Sequence, residues 1–391
     1  MLDSLKARYE RRHPLALLLM ALTDGLCWLV SGFGLRAQSK SLDLSAVKRV
    51  LLVNPAHMGD VVISTAAIRR LKDANPTITV GFLVGSWAKL ALDGHPGIDK
   101  LYVVDHWRLN RSNASRSAKL WRYWMTWRQS RAAIKRDGYD LGILLNSFSP
   151  NLASLLWSAN VPMRVGYVSV GEAPLLNIVL PKPASTQSEQ SIQLNLLEAC
   201  GFYGRSECWL KVPDEKIDVL AGLRVNTPFV VLHPGTGNPA KTWLPESWIV
   251  LARHFRGQGL HVVLTGQGAA EEQLASRIAN NSGAQNLADK LTWQEWLALL
   301  AKADLVVGVD SVVGHVCAAI GRPFVGVYSG IGSIARWAPT GARTIALTKP
   351  MPCSPCHTRP CRERTCITAV GVEDVQKAAN QLLRTSDAHI I

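Results

Sequence analysis

The sequence predicts an α/β protein of two doubly wound halves, each a parallel sheet flanked by helices, preceded by an apolar, amphipathic extension. Three observations predict it. Uniformly apolar runs such as VLLV (50–53) and FVVL (229–232) have the composition of parallel strands buried on both faces. Each run ends in a turn followed by a segment of helical spacing, and this alternation recurs in both halves of the chain. The 391 residues suffice for two cores of ordinary size.

The extension, 1–46, opens with Lys6, Arg8, Arg11 and Arg12 against Asp3 and Glu10. An apolar segment, 14–34, then carries Leu15, Leu18, Leu22, Leu26, Leu29 and Phe33 at helical spacing, interrupted by Asp24 and Gly25. A carboxylate at the centre of a spanning helix costs roughly 2.5–3.5 kcal/mol. An interfacial helix on an acidic leaflet, flanked by Arg11, Arg12, Arg36 and Lys40, therefore fits best. A true span, an uncleaved signal and a helix packed on the globular body stay open. No A-x-A cleavage pattern follows, so secretion is not expected.

The first half, 47–205, begins with a strand at 48–54, the loop PAHMGD, and a helix from 61 that stops before Pro76. Further strands are expected at 77–84, 101–104, 141–145 and 164–167, with a helix at 190–199. Between them, 106–136 holds nine Lys or Arg and no acid. Its helical part, 118–136, interleaves Trp121, Tyr123, Trp124 and Trp127 with Lys119, Arg122, Arg128 and Arg131. One reading is a solvated helix whose Trp face is buried. The other is a surface that grips phosphates while Trp rings settle at a lipid or sugar face. After a linker, 206–228, the second half, 229–391, repeats the alternation: strands at 229–232, 261–265, 305–309 and 324–328, helices at 246–256, 270–279, 292–301 and 314–320. Two such halves are expected to face a cleft at their strand carboxyl ends, where ligands bind in these folds.

Composition narrows the partners. Apolar content of 48% against 18% charged excludes a disordered chain. A formal charge of +14 favours an anionic partner. No RNP, zinc-finger or helix-turn-helix signature is present, so nucleic acid is not expected. Cys27, Cys200, Cys208 and Cys317 are scattered and read as reduced, whereas Cys353, Cys356, Cys361 and Cys366 crowd one loop, 353–366. Four thiolates there offer a structural zinc or iron site, set against reduced, unliganded cysteines.

Three turns carry the candidate chemistry. In HPGTG, Gly235 lets main-chain N–H groups approach a ligand, Thr236 adds a hydroxyl, and Lys241 adds a cation shortly after. An ordinary strand-to-loop turn with a surface lysine explains the same residues. Asp60 closes the first strand–helix turn beside His57 and serves either as an N-cap or as a general base. Asp310 and Ser311 stand where a strand becomes a helix, with His315 just beyond, a ready anion site or an ordinary cap.

Together LLVNPAHMGDVVISTAAIRRL, VVLHPGTGNPAKTW and VGVDSVVGHVCAAIGRP, in this order, resemble the heptosyltransferases of glycosyltransferase family 9, from about Lys48 to the end of the chain. The resemblance implies a GT-B fold of two Rossmann-like domains. It implies an inverting transfer of heptose from ADP-heptose to the lipopolysaccharide core, peripherally at the cytoplasmic face of a Gram-negative inner membrane, with no cofactor and no essential catalytic metal. By position, Asp60 matches the catalytic base. Thr236 and Lys241 match the residues that hold the diphosphate, Asp310 with Ser311 those that meet sugar and phosphates, and His315 falls at the family's spacing. Glu271 or Glu272 is expected at the donor ribose. Lys119, Arg122, Trp124, Arg128 and Arg131 are expected to meet the lipid acceptor and the anionic membrane. Two departures are Asn54, where the family commonly has Lys or Arg, and Val312, where it usually has Gly. They leave open a different nucleotide sugar or a non-catalytic, membrane-attached nucleotide-sugar binding module.

Overall fold

The computed structural model describes residues 5–6, 8–9, 14–31, 46–146, 152–213, 228–356, 361 and 363–387. Asp3, Glu10, Arg11, Arg12, Phe33, Arg36 and Lys40, most of the expected linker, and 357–360 and 362 of the Cys-rich loop lie outside the described residues. The chain divides into two compact units, Met1–Cys208 and Trp209–Ile391.

Unit 1 starts with helix α1 (Pro14–Ser31). Strand β1 (Arg49–Asn54) leads into helix α2 (Met58–Ala74), and strands β2 (Thr79–Val84) and β3 (Lys100–Val103) follow. Helix α3 (Arg116–Asp137) returns the chain to strand β4 (Leu141–Leu144), helix α4 (Ala153–Ser158), strands β5 (Met163–Tyr167) and β6 (Ile178–Leu180), and helix α5 (Glu189–Ala199). The sheet order is β3-β2-β1-β4-β5-β6, all parallel. Alternate β1 residues, Leu51 and Val53, face the core that also holds Ile134 of α3, Leu155 and Leu156 of α4, and Leu175. Period-2 alternation sends Val50 and Leu52 to the opposite side; both are fully buried.

Helix α3 ends as its sequence directs: Ser115 caps the start by accepting from the Ala118 N–H at 3.2 Å, and Gly138 takes φ 63° at the end. Helix α1 packs on unit 1 through Leu17, which is fully buried. Asp24 faces inward too, bound by Arg8 Nη2 at 2.6 Å and by the Tyr9 hydroxyl at 2.8 Å. Among the described residues no helix is long and apolar enough to cross a membrane. Of the alternatives for this segment, the helix packed on the body describes its inner face.

Unit 2 contains strand β7 (Phe229–His233), helix α6 (Pro245–Gly257), strand β8 (His261–Leu264), helix α7 (Ala269–Ser282) and the two-residue strand β9 (Gln285–Asn286). Helix α8 (Trp293–Lys302), strand β10 (Leu305–Val309), helix α9 (Val312–Ala319), strands β11 (Phe324–Tyr328) and β12 (Thr344–Thr348) and helix α10 (Val372–Asp387) follow, with two four-residue helices, Ile334–Trp337 and Thr365–Thr368, among them. Its sheet, β12-β11-β10-β7-β8-β9, repeats the order of the first when each is counted from its own opening strand. In both, the opening strand lies in the middle and the order reverses beside it, between β1 and β4 and between β7 and β10. Doubly wound sheets bind ligands outside the carboxyl ends of the strands at that reversal.

Candidate functional site

In unit 1 the reversal point is built from buried polar side chains. Asn54 closes β1 with its amide wholly enclosed. Its Nδ2 donates to Ser64 Oγ at 2.8 Å and toward the Asp60 carbonyl at 3.3 Å, while its Oδ1 accepts from the Ala56 N–H and from Asn146 Nδ2, both at 3.2 Å. Ser64 in turn donates to Gln193 Oε1 of α5 at 2.7 Å. An amide both donates and accepts, which a Lys or Arg at 54 cannot do, and this explains how Asn54 fits. It ties the end of β1 to the first turn of α2.

Asp60 does not sit ahead of that helix, as the sequence suggested, because α2 begins three residues earlier than expected. His57 stands at the N-cap position and Asp60 is the third helical residue. Its Oδ2 accepts from the His57 N–H at 3.1 Å and lies 4.0 Å from His57 Nδ1. The carboxylate is mostly buried in the first turn of α2.

In unit 2 the turn residues come together. Thr236 Oγ1 donates to the Asp310 carbonyl at 3.3 Å, joining the β7 turn to the end of β10. Lys241 Nζ stands 2.6 Å from Asp310 Oδ2, both side chains largely buried. Ser311 holds the N-cap position of α9, yet its Oγ is buried and makes no hydrogen bond, so capping does not account for this residue. His315 is buried behind this pair. Burial pushes its pKa down to about 4, with Asp310 opposing and Lys241 adding to the shift. Val312 opens α9 in helical conformation, which a β-branched residue adopts at small cost.

Glu271 joins the cluster from α7, and Glu272 does not. A methyl group added to Gly235 would overlap the Glu271 carboxylate, so only glycine permits this approach. Glu271 Oε2 accepts from the Gln267 N–H at 2.9 Å, and burial raises its carboxyl above the usual range. Glu272 instead accepts from Ser276 Oγ at 2.7 Å along its own helix. His233, which sequence reading passed over, ends β7 in the same region. Its Nδ1 lies 2.9 Å from Thr265 Oγ1, its ring centroid 5.6 Å from that of Trp296, and burial lowers its pKa to about 4. The signal was its place just before the Gly-Thr-Gly turn.

The basic helix divides between the two readings offered for it. Tyr123 and Trp127 pack on the unit 1 core, whereas Trp121 and Trp124 are exposed by 64% and 50%. Arg128 lies over the Trp124 ring at 4.6 Å. Arg122 is tied to the fully buried Asp105, while Lys119 and Arg131 are half-buried.

The Cys-rich loop was open between a structural zinc or iron site and reduced, unliganded cysteines. Among the described residues no group of three or more His, Cys, Asp or Glu side chains is placed to hold an ion. Cys353 is exposed while Cys366 is buried. Cys366 Sγ accepts from the Gly330 N–H at 3.1 Å, and Cys361 Sγ from the Arg364 N–H at 3.4 Å.

Comparison with known proteins places this geometry in context. The family model for glycosyltransferase family 9 (heptosyltransferase) matches residues 127–367. Lipopolysaccharide heptosyltransferase 1 of Pseudomonas aeruginosa is 25% identical over 336 residues, covering 80% of this chain and 87% of the relative. Among solved structures, a family 9 glycosyltransferase from Veillonella parvula superposes with a TM-score of 0.73 at 20% identity, over 86% of this chain and 98% of the other. The E. coli ADP-heptose lps heptosyltransferase II superposes with a TM-score of 0.68 at 19% identity, over 87% and 99% of the two chains. These superpositions show the GT-B class of fold.

Proposed function

The chain belongs to glycosyltransferase family 9, and from that membership we propose that it transfers a heptose from ADP-heptose to the lipopolysaccharide core, with inversion. The observation that carries the reading is the gathering of Gly235, Thr236, Lys241, Glu271 and Asp310 at the strand reversal of unit 2. Relatives named for heptose transfer, and a similar structure named for ADP-heptose, support the choice of donor.

In this reading the donor diphosphate lies at the first turn of α9, where backbone N–H groups and the helix dipole favour an anion. Lys241 turns from Asp310 to the phosphates, and Asp310 then accepts from sugar hydroxyls. Glu271 accepts from the ribose, in reach because Gly235 has no side chain. Asp60 takes the proton from the attacking acceptor hydroxyl, and the anomeric carbon inverts as its bond to the diphosphate breaks. Charge growing on the leaving group meets Lys241 and the Thr236 and Ser311 hydroxyls, with no covalent intermediate and no essential catalytic metal. The enzyme works peripherally at the cytoplasmic face of the inner membrane, with Lys119, Arg122, Trp124, Arg128 and Arg131 toward the acceptor lipid.

Turnover of ADP-heptose on core-truncated lipopolysaccharide tests the roles. Asp60→Ala is expected to lower kcat about 10²–10⁴-fold, the usual worth of a general base. Lys241→Ala should cost about 10²–10³-fold, the worth of one group stabilising developing negative charge. Turnover like that of the wild type in either variant removes that residue's role.

A further inference from the structure

We propose that the outward face of α1, together with Leu120, Trp121 and Trp124 of α3, docks on an anionic lipid bilayer with α1 lying in the headgroup plane. The proposal rests on the peripheral-membrane part of the reading above and assigns it to particular residues. Helix α1 and these three α3 residues lie outside the 127–367 segment matched by the family model.

Helix α1 is apolar on two sides, and the fold uses only one. Leu17, Asp24 and Cys27 face unit 1. Leu15, Leu18, Leu19, Leu22, Leu26 and Leu29 face away, exposed by 43–63%. Their spacing of three and four residues draws one stripe along the helix, about 21 Å long at 1.5 Å per residue. Trp28, at 64%, is exposed beside it. Single exposed leucines need no explanation, but an unbroken apolar stripe marks an interaction surface.

The second helix lies on the same side of the sheet. Cys27 of α1 and Tyr123 of α3 pack against one core cluster, and the Glu172 carboxylate acts on both. Charge selects the occupant. The segment 106–136 carries nine cations and no acid, and Arg116, Arg128, Lys135 and Arg136 are exposed. A second copy would bring the same positive charge against itself. An anionic leaflet complements it, with Trp rings at the headgroup level and leucines in the acyl region. Asp24, the carboxylate that argues against a span, points into the protein and is spent on Arg8 and Tyr9, so the outer stripe carries no charge. The helix is built to lie on the bilayer rather than to cross it.

The test uses the full chain, with flotation on phosphatidylcholine vesicles with and without phosphatidylglycerol, at low and high salt. Wild type is expected to float with the anionic vesicles and to weaken in salt. Leu22→Glu with Leu26→Glu, both on the solvent side of α1, should weaken binding by about tenfold or more while the melting temperature and turnover on a delipidated core oligosaccharide stay unchanged. Equal binding by the variant overturns the assignment. So does wild-type indifference to anionic vesicles, or a wild-type dimer in sedimentation that the double variant dissociates without any vesicle binding. Failure of turnover with intact vesicle binding would count against heptose transfer alone, and the converse against the docking surface alone.

Discussion

At the scale of single residues, Glu271 combines a cost with a use. Burial raises its carboxyl above the ordinary value, which means that its ionised form is disfavoured in the folded chain. A raised carboxyl contributes stability that is complete below the unfolded value and is lost as pH rises through the folded one. Glu271→Gln is therefore expected to melt above wild type at pH 7, with the gap closing toward pH ~4.5. Its affinity for ADP should fall by about tenfold, the worth of a hydrogen bond to a charged acceptor. Scanning fluorimetry across pH and an ADP titration check both, and unchanged ADP affinity would remove the ribose role. Sequence alone could not choose between Glu271 and Glu272, because adjacent helix positions differ only in direction. The choice became visible once Gly235 was seen against the carboxylate. Asn54 was likewise legible as a departure but not as a solution, since its partners Ser64, Asn146 and Gln193 come from distant parts of the chain.

At the scale of elements, the buried strands were readable from composition, as was the part-buried β3, whereas β6, β9 and β12 were not. β1, β7, β10 and β11 are each built on a run of buried apolar residues. β12 is half-buried throughout, and β9 has two residues, too few for any pattern. Helix α10 is legible in the sequence too, since Val375, Ala378, Ala379 and Leu382 recur at helical spacing, and all are buried. It closes the unit 2 core, where the Trp243 indole N–H also donates to the Val370 carbonyl at 3.0 Å. Leu382→Ala is expected to cost about 2–4 kcal/mol by leaving a cavity, read as a lower denaturant midpoint with unchanged slope. A loss below 0.5 kcal/mol would mean that α10 is dispensable to that core.

At the scale of the whole molecule, the two units are expected to respond differently to acid. His233 and His315, both in unit 2, have pKa values lowered by burial to about 4. A base lowered in this way is stabilising above its unfolded value, and that stability drains as pH falls from about 6.5 to 4, up to about 3 kcal/mol for each histidine. In unit 1 the raised carboxyl of Glu172 works in the opposite direction. Glu271 partly offsets the loss in unit 2, and the carboxylates lowered by their surroundings, Asp73, Asp137 and Asp374, titrate below this window. Hydrogen exchange resolved by unit, compared at pH 7 and pH 4.5, should show protection falling first in unit 2; equal loss in both would refute the assignment. Each sheet also starts from its middle, since β1 and β7 are both the first strand of their unit and the one on which the order reverses. During synthesis, then, the seed of each sheet leaves the ribosome ahead of everything laid beside it. The amino-terminal layer can grow outward to completion while codons for the second are still being read, sparing the nascent chain a choice between two sets of similar parallel partners.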